Sequence, residues 1–165
     1  MNIRHFMFLM AMLAGSLVFA PSPAKAACAP LSSCSCTVTA TGVSFGNYNV
    51  VNASPTDSTG SIRVQCTLLV ALAGSFTVDL STGSSGAYAQ RTLRNGTPVL
   101  DYNLYTDAAR TQIWGNGSGG SFRVTRNFTA LLSVDQTMTV YGRIRAGQNV
   151  PAGSYSDTIV VTVTY

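Results

Sequence analysis

The stretch Thr158-Ile159-Val160-Val161-Thr162-Val163-Thr164-Tyr165 decides how this chain is read. Every residue in it favours extended backbone, and strand alternation puts Ile159, Val161, Val163 and Tyr165 on one face and Thr158, Val160, Thr162 and Thr164 on the other. The first face calls for a hydrophobic core. A run this rich in β-formers is normally followed by a turn and a partner strand, and none follows Tyr165. The expectation is a sheet with one position left open beside this strand, where an unpaired edge invites a strand from another chain.

Further strand-like runs lie at 37–40, 43–48, 61–67, 75–80, 99–105, 121–128, 137–145 and 155–165, with Gly, Asn, Ser and Pro between them. Asn95-Gly96 and Asn116-Gly117 are turn dipeptides, and 115–120 reads as an exposed loop. No long helix is expected. Asp57-Ser58-Thr59-Gly60, which carries one residue too many for an aspartic-protease signature, reads as a turn. The fold class is all-β, an antiparallel sandwich of about seven strands. Alternation assigns Ile62, Val64 and Cys66, then Phe76, Val78 and Leu80, then Leu100, Tyr102 and Leu104, then Val140, Gly142 and Ile144 to inward faces. Trp114 is expected to fill the core rather than to stack on a sugar.

Residues 1–26 read as a signal peptide: Arg4 and His5, an apolar run at 6–20, and Ala24-Lys25-Ala26 before the cleavage point. A lipoprotein reading at Cys28 is disfavoured because Lys25 stands where the attachment box needs an aliphatic residue. The expected mature part, 27–165, is one domain with a short N-terminal extension at 27–35, exported and without membrane insertion after cleavage. It loses the chain's single His and its single Lys, and Glu is absent throughout. Ten Lys and Arg less Arg4 and Lys25 leave eight arginines against six aspartates, a net charge of +2.

That inventory argues against an enzyme. Without His, Lys or Glu, the common general bases, nucleophile–histidine pairs and histidine zinc sites cannot be assembled. An aspartate-only site would need Asp79, Asp101 and Asp107 to converge, and no motif supports it. No cofactor or metal is expected. The arginines are scattered, so they read as solvated or paired with aspartates rather than as a nucleic-acid surface. Four Asn-x-Ser/Thr matches are given no role in a chain so rich in these residues. Cys28, Cys34, Cys36 and Cys66 suit an oxidising destination; of three connectivities we favour Cys36 with Cys66 and Cys28 with Cys34.

Phe45-Gly46-Asn47-Tyr48, Val64-Gln65-Cys66, residues 102–107, Trp114-Gly115, and above all Val140-Tyr141-Gly142-Arg143-Ile144 and Val150-Pro151-Ala152-Gly153-Ser154-Tyr155-Ser156-Asp157 resemble the spore coat protein U domain family. Tyr141, Gly142, Pro151, Gly153, Tyr155 and Asp157 carry the motif. The resemblance implies an immunoglobulin-like sandwich lacking its final strand, similar to subunits of archaic chaperone-usher pili. It implies donor-strand complementation along Ile159, Val161, Val163 and Tyr165, first by a periplasmic chaperone and then, at an outer-membrane usher, by another pilus subunit. Tyr165 would meet the chaperone. Because 27–35 holds Pro30 and the expected Cys28 to Cys34 loop, it makes a poor donor, which suggests a fibre tip. The alternative is a self-sufficient secreted module that binds carbohydrate or coats a surface.

Overall fold

A computed structural model describes residues 24–27, 34–68, 72–130 and 132–164. The described residues form nine strands: β1 (Ala24–Ala27), β2 (Cys34–Thr41), β3 (Thr56–Leu68), β4 (Leu72–Leu80), β5 (Arg91–Arg94), β6 (Val99–Tyr105), β7 (Val124–Ala130), β8 (Ser133–Ile144) and β9 (Val161–Thr164). Six make one antiparallel sheet in the order β1-β2-β3-β8-β6-β5, and three make the other in the order β7-β4-β9. The only helical turn among the described residues is a 3-10 turn at Gly83–Ser85.

The two sheets close on the inward sets that alternation assigns. Ile62, Val64 and Cys66 from β3, Phe76, Val78 and Leu80 from β4, Leu100, Tyr102 and Leu104 from β6, and Met138, Val140 and Ile144 from β8 are all buried. Trp114 joins them at 1% exposure, its indole N–H donating to Val78 O at 2.9 Å. Cys36 and Cys66 face each other across β2 and β3 and form the expected disulfide inside this core. The other expected pair lies outside the described side chains.

Local turn chemistry is overruled at 57–60. These residues lie within β3, opposite 140–143 of β8, rather than in a turn. Twelve residues of β8 offer a continuous ladder, and Asp57 sits directly opposite Arg143, which binds its carboxylate through Nε at 2.7 Å and Nη2 at 2.8 Å. Cross-strand pairing of that kind outweighs a turn preference. Gly60 has a packing role instead: a Cβ there would stand 2.5 Å from Thr41 O, where β2 ends above it.

Two expected strands are not regular. Residues 43–48 have no ladder partner among the described residues, although Val43, Phe45 and Tyr48 still turn inward against the core. Only 161–164 of the final run pairs as a strand, because β4 ends at Leu80, opposite Val161. Before that, 155–160 is held by single contacts: Arg94 and Ser156 exchange backbone hydrogen bonds at 2.8 and 3.0 Å, and Ser81 N donates to Val160 O at 2.9 Å. In the other direction, Arg91–Arg94 is a strand that its charged ends disguise.

Candidate functional site: an open strand edge and its groove

β9 pairs with β4 from Thr77 opposite Thr164 to Leu80 opposite Val161, and its other edge has no strand beside it among the described residues. Alternation holds there. Ile159, Val161 and Val163 pack on the core yet stay half-buried, while Val160 is 60% exposed and Thr162 and Thr164 face outward. Tyr165 lies outside the described residues. These apolar side chains reach the core and still present part of their surface at the sheet edge.

Ile159 and Val161 of that face form one wall of a groove. Its narrow section, about 210 Å³, runs between residues 40–45 and Ile159 and Val161 over a floor of Ile62, Leu104, Val140 and Tyr102. A wider section of about 1110 Å³ continues between 43–50 and 150–157 over Leu93, Leu100 and Ile144. Val43, Phe45, Leu93 and Asp157 border both, so the two sections adjoin. The unladdered segments 43–48 and 155–160 are therefore its two banks.

This placement gives most motif residues a physical task. Pro151, Gly153, Tyr155 and Asp157 line the wide section, where Tyr155 donates to Pro151 O at 2.9 Å and folds its loop. Gly142 sits under the near bank, and a Cβ there would meet Val43 Cγ1 at 2.7 Å and Phe45 Cζ at 2.8 Å. Tyr141 points the other way, its ring 5.8 Å from the Arg110 guanidinium, and takes no part in the groove. Asp157 fastens the far bank: Oδ1 accepts from Ser84 N and Thr158 N, each at 2.9 Å, and Oδ2 accepts from the Tyr102 hydroxyl at 2.7 Å. Burial, with the carboxylate beside it, pushes the Tyr102 phenol far above its usual range, so it remains a donor.

The remaining aspartates do not converge. Asp79 binds Arg123, Asp101 binds Arg145, Asp135 binds Arg63, and Asp107 caps its own loop through Thr111 and Gln112. Among the described residues, no group of three or more His, Cys, Asp or Glu could hold a metal ion.

Arg91 is the residue that pattern reading misses. It is fully buried and has no carboxylate against it; Nε and Nη2 donate to Ser81 O at 3.0 and 2.7 Å, Nη2 also to Trp114 O at 2.7 Å, and Nη1 to Asn103 Oδ1 at 2.7 Å. The Tyr88 ring lies 5.5 Å from its guanidinium carbon. Desolvation lowers its pKa, and three oxygen acceptors and an aromatic face hold the cation in place. Its only trace in the sequence is an arginine ahead of an alternating apolar residue, a pattern shared with exposed strands.

A two-sheet antiparallel sandwich in which the β9 edge borders a groove floored by core side chains defines a class of domain. Within it, this chain belongs to the Spore Coat Protein U domain family, which matches residues 24–162. It is 38% identical over 132 residues to Protein U of Myxococcus xanthus, covering 74% of this chain and 71% of that protein. A solved chaperone-tip adhesion subunit pre-assembly complex, CsuC-CsuE from the archaic chaperone-usher Csu pili of Acinetobacter baumannii, is similar at a TM-score of 0.49 and 21% identity. That match covers 80% of this chain, which spans 40% of the solved one.

Proposed function

We propose that this protein is an exported structural subunit of a chaperone-usher surface fibre that accepts a strand from another polypeptide along β9. One observation carries the reading: among the described residues β9 has no strand on its outer edge, and Ile159 and Val161 on that side line a groove floored by core side chains. A donor strand laid there would hydrogen-bond to β9 and send alternate side chains into the channel. At roughly 1.5 to 3 kcal/mol for each buried apolar side chain, four or five of them would contribute about as much as the whole stability of a domain. A periplasmic chaperone would hold the site during transit, and at an outer-membrane usher another subunit would replace it. Ile159, Val161 and Val163 are the acceptor residues, with Tyr165 continuing them.

The test is refolding of the mature chain alone and with extended peptides of alternating apolar sequence. Alone, it should bind a hydrophobic dye and aggregate; a fitting peptide should raise its melting temperature and suppress both. A stable monomer that ignores every peptide and binds no dye refutes strand acceptance.

A further inference from the structure

We propose that Asp157 sets one polar position in the incoming strand, so that the donor carries a threonine or serine there instead of an aliphatic residue. The inference rests on strand acceptance and adds the chemistry of the partner. Asp157 borders both the narrow and the wide sections of the channel, and among the described residues it is the single carboxylate along either. The other side chains of the narrow section, apart from Thr41 and the Tyr102 hydroxyl, are aliphatic or aromatic. An alternating donor that crosses both sections must therefore pass a fixed charge where the apolar narrow section meets the wider, more polar one.

The carboxylate cannot turn away from that position. Ser84 N and Thr158 N hold Oδ1 and the Tyr102 hydroxyl holds Oδ2, while Gly83, at φ +64°, has no Cβ to collide with it. Two carboxylate oxygens offer about four acceptor sites, and these three donors leave one on Oδ2. An aliphatic side chain above it would strip water from the charge and return no hydrogen bond. A hydroxyl returns one. A cation suits the place less well, because Arg94 already borders the neighbouring depression and the buried Arg91 feels the charge of Asp157.

Threonine and valine are close in shape, which makes the experiment direct. The mature wild-type chain is titrated with peptides whose channel-facing residues are all valine, and with a set in which each is replaced in turn by threonine. Threonine should weaken binding at most positions and strengthen it at one, by about tenfold, as a hydrogen bond to a charged group does. Asp157→Ala should abolish that preference, and Asp157→Asn, which keeps one oxygen, should retain part of it. Valine winning at every position overturns the proposal while leaving strand acceptance standing, as does a threonine preference that survives in Asp157→Ala. If no peptide binds, strand acceptance itself fails and the proposal falls with it. Should Asp157→Ala not fold, the wild-type scan decides by itself.

Discussion

Two corners of this sandwich handle polar groups near the core in opposite ways. Around Arg91, the chain closes on itself: a buried guanidinium takes up the carbonyls of Ser81 and Trp114 and the side chain of Asn103, whose amide in turn donates to Tyr88 O and Ala89 O. Along β9 it does not close. Ile159, Val161 and Val163 stay half-buried, the outer edge of β9 has no strand beside it among the described residues, and the Asp157 carboxylate borders an open groove. The first corner has its partners within the chain; the second, on the function proposed here, takes them from another polypeptide. The difference teaches where a foreign strand can add stability and where it cannot.

The largest effect is expected at the closed corner. Arg91→Met should leave the carbonyls of Trp114 and Ser81 without this donor and cost about 3 kcal/mol or more, whether or not a donor peptide is present. Denaturant unfolding with and without peptide measures it, and a loss that the peptide cancels would break the contrast between the corners. Trp114→Ala should fall in the same range, about 3 to 5 kcal/mol, through the cavity it leaves.

Next comes the disulfide. Cys36 and Cys66 close a loop with a sequence separation of 30, so the double Cys→Ser variant should lose about 3 to 4 kcal/mol in the chain-entropy account. Melting under reducing and oxidising conditions reads the same difference in the wild type.

Gly142→Ala separates the near bank of the channel from its floor. The added methyl must push Val43 or Phe45, at a cost of about 1 to 3 kcal/mol, and it should narrow the channel as it does so. Peptide affinity should therefore fall by more than thermal stability does; equal losses would show that the bank is structural only.

The smallest effect belongs to the surface ladder. Hydrogen bonding to Arg143 holds the Asp57 carboxyl below its ordinary value of 3.8, so the ionised form is favoured by folding. That contribution is complete above the unfolded value and disappears as pH falls through the lower folded one. Stability should dip below about pH 4, and Asp57→Asn should flatten that part of the pH profile at a cost of about 1 kcal/mol or less near neutrality.

Alternation made the core readable, since a period of two is a property of the strand itself and Ile62, Phe76, Leu104 and Ile144 needed no partner to declare their side. For the same reason the last strand was legible as half-buried, and Cys66 could be placed inward before its bridge was known. Three things were not legible. Asp57-Ser58-Thr59-Gly60 is a turn by local chemistry, and only a β8 long enough to run beside it makes it strand. Residues 43–48 look like a strand and become a bank, because a ladder needs a neighbour and this segment has none among the described residues. Arg91 looks like any strand arginine, and its burial depends on carbonyls of Ser81 and Trp114, 10 and 23 residues away.

What this sequence determined by itself is therefore the class of the fold and the faces of its strands. What only the tertiary structure decided is where the channel runs, which loops wall it, and that a carboxylate stands where its two sections meet. The physical reason is range. Side-chain alternation is written within a few neighbouring residues, whereas a channel is a gap between segments more than a hundred residues apart, and no local pattern records what two distant segments leave between them.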